Sequence, residues 1–447
     1  MYEMKDPEEL RNKTVEEIRY VFKKGEYEKI YARIISIEYR NEKFYICGDL
    51  FTDSLIEFHD RYCSEEMARW RDIIRPIFLE FRTEIQPERL KEIGGKALKE
   101  LSSWVESRYP SYQGIKNDEW DSEKIEELCD EYYNVLISIK YDVEGGDTWI
   151  GFAASPFKRY RRRICFEDVN INKKVTIATL PNIRVLSSSD ISDEIKNFIP
   201  GSLVEYNVGQ GNFSKLANDT TSIVYDIGFT TFQDHANYNH AICALQCLDA
   251  QGFIISHFDI DHILGTIYLK DGQFGKDKLW IVPEPSKMKR LSASAKRLIW
   301  FLHNYSNLRC IYDSSTGNVF QLNDYIKIYR GVAKPTIKDS EYKNGSGLML
   351  SVIGSRGKEA ILSGDCLYEY WGSMVPNQCD YFVVPHHGCK AQIANRIRGN
   401  KESEAIIPVG KGNIYRHPDI KHINELLKCN FYSVILSKHI KEKVYRL

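Results

Sequence analysis

The stretch that most constrains the fold lies past the middle of the chain, where an apolar run ends in a cluster of ligand-type side chains. Ile254 to Ser256 are followed by His257, Asp259, Asp261 and His262. Imidazole and carboxylate groups are good ligands for Zn²⁺ or Mn²⁺. A capped strand-to-helix turn would also place Asp and His here. Because four such groups cluster between two apolar segments, the pattern favours a metal site at the end of a strand.

Length and composition bound the class of protein. The 447 residues are enough for two domains. Lys+Arg number 61 and Asp+Glu 62, for a net charge of -1, so attraction to nucleic acid would have to come from a local basic patch and from metal ions. The 11 cysteines are scattered, and no run of about 18 apolar residues occurs. We therefore expect reduced thiols, a cytoplasmic location and no membrane span.

The first part of the chain, residues 1 to 195, carries no chemical signature. Its patterns predict a helix over residues 8 to 23, two strands over residues 29 to 53 and a second helix over residues 65 to 81. The basic run Lys158 to Arg163 could lie along a phosphate backbone, or it could be a solvated strand paired with acidic neighbours. We predict a mixed α+β domain here, which could bind substrate or a protein partner.

A polar segment from Ser187 to Pro200 predicts a linker between two domains, 1–195 and 200–447. Ten of the 11 histidines follow it. In the second domain, strand-like segments end at Asp226, at His257, at Asp365 and at the His386-His387 pair, and another precedes His417. If these ends converge, they form a metal cleft on one edge of a β-sandwich, with the chemistry carried by loops.

The order of these motifs resembles that of the metallo-β-lactamase superfamily, and most closely the branch found as the soluble domain of ComEC-type competence DNA-internalisation proteins. The resemblance covers about residues 200 to 437. It rests on Asn207-Val-Gly-Gln-Gly-Asn212, Tyr225-Asp226-Ile-Gly228, Ser256-His257-Phe-Asp259-Ile-Asp261-His262, Leu362-Ser-Gly-Asp365, Pro385-His386-His387-Gly388 and Arg416-His417-Pro418-Asp419. It implies an α/β class, the αβ/βα sandwich of the superfamily, and metal-dependent hydrolysis, with nuclease activity on DNA in the competence branch.

The resemblance also implies roles for single residues. Asp365 matches a carboxylate that bridges two metals, and Asp226 a carboxylate that supports the site. The chain departs from the family at Asn212, where an acidic residue is usual, and at Cys389, where a small hydroxyl residue is usual. It also lacks a His ligand between the Asp259 motif and Asp365, since His303 fits a helix face. One metal position is therefore expected to bind its ion weakly.

We predict a cytoplasmic nuclease or phosphodiesterase that uses two divalent metal ions, Zn²⁺ or Mn²⁺, and a metal-bound hydroxide, with nucleic acid as substrate. The predicted metal ligands are His257, Asp259, Asp261, His262, Asp365 and His386. The predicted catalytic residues are Asp259, Asp261, His387 and His417. Two alternatives remain open: a hydrolase of lactones, thioesters or cyclic nucleotides, and a degenerate fold kept as an interaction module.

Overall fold

The computed structural model shows two compact units. It describes residues 6–24, 30–40, 43–64, 74–85, 129–130, 133, 136–142, 148–153, 158–166, 179–229, 238–312, 319–391, 393, 396–400, 402–411, 413 and 415–447. The first unit comprises Met1–Leu180 and Lys289–Phe301, and the second comprises Pro181–Met288 and Leu302–Leu447. The predicted boundary between residues 195 and 200 stays a prediction about independent folding, but the compact units divide earlier. The reason is that Leu186, Ile191, Ile195 and Phe198 are buried in the core of the second unit.

The first unit contains a closed barrel of six strands in the order β1-β2-β3-β5-β6-β4, with every neighbouring pair antiparallel. The strands are β1 Ile30–Arg40, β2 Lys43–Phe51, β3 Phe78–Ile85, β4 Ile137–Asp142, β5 Thr148–Ala153 and β6 Lys158–Phe166. Its helices include α1 Pro7–Lys24 and α2 Asp53–Tyr62. Thr52 caps α2 by accepting a hydrogen bond from the Leu55 N–H at 3.2 Å.

Three local predictions for this unit can be compared with the structure. The helix over residues 8 to 23 and the two strands over 29 to 53 are confirmed as α1, β1 and β2. The helix predicted over 65 to 81 is wrong at its end, because Phe78–Ile85 pairs with β2 and β5, and residues 65 to 73 lie outside the described residues. Pairing over long sequence distances overrides local pattern here. The basic run Lys158 to Arg163 forms part of β6.

The segment Lys289–Phe301 joins the first unit through buried polar contacts with it. The Ala293 N–H donates to both carboxylate oxygens of Asp49 at 3.0 Å. Arg290 Nε donates to the Ile35 carbonyl at 3.1 Å, and Arg297 Nε donates to the Ile77 carbonyl at 2.7 Å. Buried guanidinium groups require such acceptors. Helix α6, Ala293–Tyr305, thus begins in the first unit, although the residues before Lys289 and after Phe301 belong to the second unit.

The second unit is built on two seven-stranded sheets. The first sheet has the order β12-β11-β10-β9-β8-β7-β20 and the second β13-β14-β15-β16-β17-β18-β19. Each sheet has three parallel and three antiparallel pairings: in the order given, the parallel pairings come first in the first sheet and last in the second. The strands of the first sheet are β7 Ser202–Tyr206, β8 Ser214–Ala217, β9 Ser222–Tyr225, β10 Gly252–Ile254, β11 Leu279–Pro283, β12 Asn307–Ile311 and β20 Glu442–Arg446. Those of the second are β13 Val319–Gln321, β14 Ile326–Arg330, β15 Leu348–Ile353, β16 Glu359–Leu362, β17 Tyr381–Val383, β18 Glu404–Ile407 and β19 Ser433–Leu436.

One apolar core joins the two sheets. It contains buried side chains of both, among them Leu203 and Ile254 of the first sheet and Leu350 and Val383 of the second. The described helices of this unit are α3 Asp193–Lys196, α4 Asn239–Gln246, α5 Ile260–Ile263, α7 Asp339–Gly345 and α8 Ile420–Lys428. The predicted α/β class is confirmed. Among the described residues, no helix is both long and apolar enough to cross a membrane.

The sheets are joined by hydrogen bonds at the edge that carries the ligand-type residues. Tyr225 Oη donates to the Leu348 carbonyl at 2.7 Å, and the Leu348 N–H donates to the Ser256 carbonyl at 2.9 Å. Gly364 has a φ of +53°, and a Cβ there would lie 2.6 Å from Ser256. Only glycine permits this close approach between the loops after β10 and β16.

Candidate metal centre

The candidate site lies at the carboxyl ends of parallel strands in both sheets of the second unit. From the first sheet, β9 leads to Asp226 and β10 leads to His257 and α5. From the second, β16 leads to Asp365 and β17 leads to the His386-His387 pair. Carboxyl ends of parallel strands are where ligands bind in α/β sheets, because loops from neighbouring strands meet there. The predicted convergence of these strand ends is what the structure shows.

Asp226 fixes the orientation of two histidines. Its fully buried carboxylate accepts hydrogen bonds from the Ser256 N–H at 2.7 Å, from Ser256 Oγ at 2.8 Å and from His262 Nδ1 at 2.8 Å. Ser256 Oγ, having given its proton to Asp226, accepts from His257 Nδ1 at 3.0 Å. Both rings then carry a proton on Nδ1, so each Nε2 is left to act as a ligand atom.

His387 is held in the same tautomer by the second sheet. Its Nδ1 donates to the Pro408 carbonyl at 2.6 Å, and its ring is 2% exposed. His386 and His387 have positive φ values of 46° and 54°. Such left-handed backbone costs of order 1–3 kcal/mol per residue outside glycine and clusters at functional sites. The strained turn presents both imidazoles to the same carboxylate, that of Asp365.

The carboxylate of Asp365 lies between two groups of imidazoles. Its Oδ1 lies 3.2 Å from His262 Nε2 and 3.8 Å from His387 Nε2. Its Oδ2 lies 3.8 Å from both His257 Nε2 and His386 Nε2. Each oxygen therefore faces a different pair of rings. A single carboxylate shared in this way can serve two cation positions.

Two further carboxylates complete the two groups. Asp259 Oδ2 lies 3.6 Å from His257 Nε2, and Asp261 Oδ2 lies 3.3 Å from His387 Nε2. We call the group around His257, Asp259, His386 and Asp365 Oδ2 the first position, and the group around Asp261, His262, His387 and Asp365 Oδ1 the second position. Within each of two sets, His257, His262 and Asp365 in one and Asp261, His262 and His387 in the other, the ligand atoms lie within 4.8 Å of one another.

The charges in the site reinforce each other. Burial would raise the pKa of Asp365, but the charges of His262, His387 and His386 hold it well below its usual value. Burial would lower the pKa of His262, but Asp365 and Asp226 raise it well above its usual value. The pKa of His387 is raised in the same way by Asp365 and Asp261, against the effect of burial. Protons thus occupy the site tightly, and a metal ion must displace them.

The donor atoms fit a divalent cation. Nε2 of His257, His262 and His387 and Oδ1 of Asp365 are all buried, yet none makes a well-aligned hydrogen bond to a described residue. Buried polar atoms in folded proteins nearly always have such partners. Four converging atoms without them, from imidazole rings and a carboxylate, are the donor set that Zn²⁺ or Mn²⁺ prefers.

The predicted site residues do not all occupy equivalent places. His257, Asp259, Asp261, His262 and Asp365 are brought together. The structure puts His387, predicted as catalytic, among the buried ligand atoms, whereas His386, predicted as a ligand, is one-third exposed. His417 lies in neither position: its ring centroid is 5.8 Å from that of His386, and it stacks on Tyr415.

Two residues at the site were not anticipated from the sequence. Lys343 of α7 lies 3.6 Å from Asp259, and nothing in its local sequence marks it as a site residue. His422 of α8 is buried, with Nδ1 donating to the Cys389 carbonyl at 2.6 Å and Nε2 accepting from Tyr368 Oη at 2.8 Å. Its position three residues after the Asp419 cap of α8 was a usable signal, since it faces inward from the first turn of that helix.

No known protein family's sequence profile matches the chain, and no curated protein sequence does. The structure is similar to solved metallo-β-lactamases. One from Thermotoga maritima aligns at 11% identity with a TM-score of 0.25, covering 37% of this chain and 79% of that one. MIM-1 from Novosphingobium pentaromativorans aligns at 11% identity with a TM-score of 0.23, covering 41% of this chain and 76% of that one. A HARLDQ-motif mutant of a metallo-β-lactamase from Cronobacter sakazakii aligns at 14% identity with a TM-score of 0.23, covering 36% of this chain and 60% of that one. Because these TM-scores are low, the fold of the second unit is assigned from its own strand order.

Proposed function

We propose that the second unit is a metallo-β-lactamase-superfamily hydrolase that uses two divalent cations, Zn²⁺ or Mn²⁺, to cleave phosphodiesters, with nucleic acid as its substrate. The observation that carries the proposal is the division of the Asp365 carboxylate, one oxygen toward His262 and His387 and the other toward His257 and His386. Support for the phosphodiester class comes from the order of the sequence motifs. We also propose a cytoplasmic location, in keeping with the ten cysteines that the structure shows as free thiols.

In this proposal, each position has two imidazoles, one carboxylate of its own and a share of Asp365. Asp261, His262 and His387 would hold the second cation, and His257, Asp259 and His386 would hold the first. Divalent cations so placed supply Lewis-acid chemistry and acidify water. Asp226, Ser256 and the Pro408 carbonyl keep three rings in the ligating tautomer, so little rearrangement is needed on binding.

The two positions differ in access to solvent. The Asp261 and His387 side chains are 12% and 2% exposed, whereas those of Asp259 and His386 are 39% and 33% exposed. Substrate would therefore approach from the side of the first position. His417, which is partly buried beside His386, is the candidate to contact the scissile phosphate or to protonate the leaving oxygen.

The deciding experiment uses the purified full-length chain, stripped of metal and reloaded with Mn²⁺ or Zn²⁺. We expect cleavage of single- or double-stranded DNA or RNA, or of a fluorogenic phosphodiester, and loss of cleavage in chelator. Elemental analysis should find transition metal in the wild type and less in Asp261→Ala. Opening of a lactone without cleavage of any phosphodiester would instead support a small-molecule hydrolase, and a wild type that takes up no divalent ion would overturn the proposal.

Metal uptake should also release protons. His262 and His387, whose pKa values are raised in this site, must lose their Nε2 protons when they bind a cation. The calorimetric heat of Mn²⁺ or Zn²⁺ binding to the metal-stripped protein should therefore depend on the ionisation enthalpy of the buffer, and the apparent affinity should increase with pH. Equal heats in phosphate and Tris buffers would contradict this expectation.

A further inference from the structure

The proposed metal centre contains a positive charge that neither the motifs nor the comparisons explain. Lys343 Nζ lies 3.6 Å from Asp259 Oδ1, and its side chain is only 7% exposed. A lysine side chain this deeply buried needs an opposite charge nearby, because removing an ammonium group from water is costly. Asp259 supplies that compensation at the first position.

Asp259 serves two partners at once. Its Oδ1 faces the Lys343 ammonium, while its Oδ2 faces His257 Nε2. Because the Lys343 ammonium lies 3.6 Å from Asp259 Oδ1, its positive charge offsets part of the negative charge of that carboxylate. The negative charge that a cation at the first position would use is therefore already partly neutralised.

The backbone keeps Lys343 in place. It lies on α7, Asp339–Gly345, which ends just before β15. The first residue of β15, Leu348, donates its N–H to the Ser256 carbonyl, beside His257. The ammonium is thus carried by an element tied to the metal-binding loop, rather than by a long surface side chain free to swing away.

The two positions offer the same types of donor, namely one carboxylate of their own, two imidazoles and one oxygen of Asp365, although His386 of the first position is one-third exposed and His387 of the second is buried. The first position differs in having the Lys343 ammonium at its carboxylate and in being more open to solvent. Like charges repel strongly where water is partly excluded. A divalent cation should therefore bind less tightly at the first position than at the second.

We propose that Lys343 makes the first position the weaker of the two, so that the protein holds one cation tightly at the second position and takes up another only at higher metal concentration. This inference rests on the two-cation centre of the proposed function. Lys343 is a positioning residue in this scheme, acting on the cation through Asp259. The consequence is that occupancy of the first position, and with it turnover, follows the available metal.

The test is a titration of metal-stripped protein with Co²⁺, followed by visible absorption and by calorimetry. We expect two binding events in the wild type, separated by at least about tenfold in affinity. Lys343→Met keeps an unbranched side chain but removes the charge, so it should tighten the weaker event by about tenfold or more and leave the tighter one unchanged. Lys343→Arg, the matched control, keeps the charge and should retain the gap.

The sign of the change separates this role from a structural one. If Lys343 only held Asp259 in place, Lys343→Met would weaken the lower-affinity binding event, which belongs to the first position. Weaker binding in that event, or no change in it, overturns the inference. Lys343→Gln provides the same neutral test if the Met variant does not fold, as judged by thermal unfolding. Metal uptake with an unaltered difference in affinity in the neutral variants Lys343→Met and Lys343→Gln refutes this inference alone, whereas a wild type that binds no Co²⁺ refutes the proposed function itself.

Discussion

Asp365 is the residue on which both metal positions depend, because its two oxygens face different pairs of imidazoles. Asp365→Asn keeps the shape but removes the charge that offsets two cations. We expect hydrolysis of a phosphodiester to fall by at least about a hundredfold, as on loss of a key electrostatic group. The melting temperature should move by only a few degrees. The measurement is the rate on DNA and on a fluorogenic phosphodiester.

Asp219→Asn provides the control for that change. Asp219 is an exposed carboxylate in the turn between β8 and β9, outside the proposed ligand set. Its substitution should leave the rate unaltered. If wild type and Asp365→Asn cleaved the same substrate equally well, the metal centre would not be the catalyst, and the interpretation of the fold as an interaction module would take its place.

Glu205 is a buried acid outside the metal centre, and it should set a pH dependence of stability. It accepts a hydrogen bond from Ser214 Oγ, and burial raises its pKa to about 8 from 4.5. The folded protein then keeps the proton that the unfolded chain loses above pH 4.5. Stability should therefore fall between about pH 4.5 and 8, by up to roughly 1.4 kcal/mol per pH unit.

Glu205→Gln removes the titration and keeps the size and a hydrogen-bond acceptor. Thermal unfolding at several pH values between 5 and 9, in metal-stripped protein, should show a variant that gains stability relative to wild type as the pH rises. A difference between the two proteins that stays constant over this range would mean that Glu205 does not change its protonation on unfolding.

At the scale of single elements, helix α8 positions the turn that carries His386 and His387. His422 of α8 donates to the Cys389 carbonyl, directly after that turn, and accepts from Tyr368 Oη. His422→Leu would leave both partners buried without hydrogen bonds, at about 1–3 kcal/mol each. We expect a lower melting temperature and weaker metal binding at the second position, measured by Co²⁺ titration.

Tyr368→Phe is the matched comparison, because it removes one of these hydrogen bonds and keeps the one that holds the turn. It should lower the melting temperature less and leave metal affinity close to that of the wild type. Equal metal affinity in His422→Leu and wild type would show that α8 stabilises the fold without positioning His387.

The sequence was informative wherever a strand ends in polar residues. The cluster from His257 to His262 and the residues Asp365 and His387 could be found because chemistry and local pattern coincide there. Lys343 could not, since a lysine in a short polar helix is ordinarily solvated, and only the fold places it beside Asp259. The different burial of His386 and His387 depends on two positive φ angles, which the sequence does not predict for non-glycine residues.

The barrel of the first unit shows a second limit of sequence patterns. Its closure pairs β1 with β4 and β3 with β5, strands far apart along the chain. The local sequence pattern predicted β1 and β2, which form a hairpin, but it predicted a helix where β3 begins. The assignment of residues 289–301 to this unit depends on buried contacts of Arg290 and Arg297, which no local pattern reports.

At the scale of the whole molecule, the division into units predicts where the chain can be shortened. A fragment of residues 181–447 keeps Leu186, Ile191, Ile195 and Phe198, which are 1 to 6% exposed in the core of the second unit. A fragment of residues 200–447 loses them, at about 1.5–3 kcal/mol for each large apolar side chain. We expect the longer fragment to unfold at a clearly higher temperature, measured by far-ultraviolet circular dichroism.

Both fragments retain residues 289–301 but lack Asp49 and Ile77, with which Ala293 and Arg297 make buried hydrogen bonds inside the first unit, so the two fragments are matched in this respect. Equal melting temperatures for the two fragments would support the boundary predicted between residues 195 and 200.

The two sheets of the second unit are encoded by nearly separate stretches of chain. Strands β7 to β12 precede Tyr312 and form the first sheet, β13 to β19 form the second, and only β20 returns to the first. The ligand set divides at the same point, with His257 to His262 on one side and Asp365 to His387 on the other. A chain cut between Tyr312 and Val319 would thus yield two pieces that each carry half a binding site, so that recovery of metal binding on mixing them would report their reassembly.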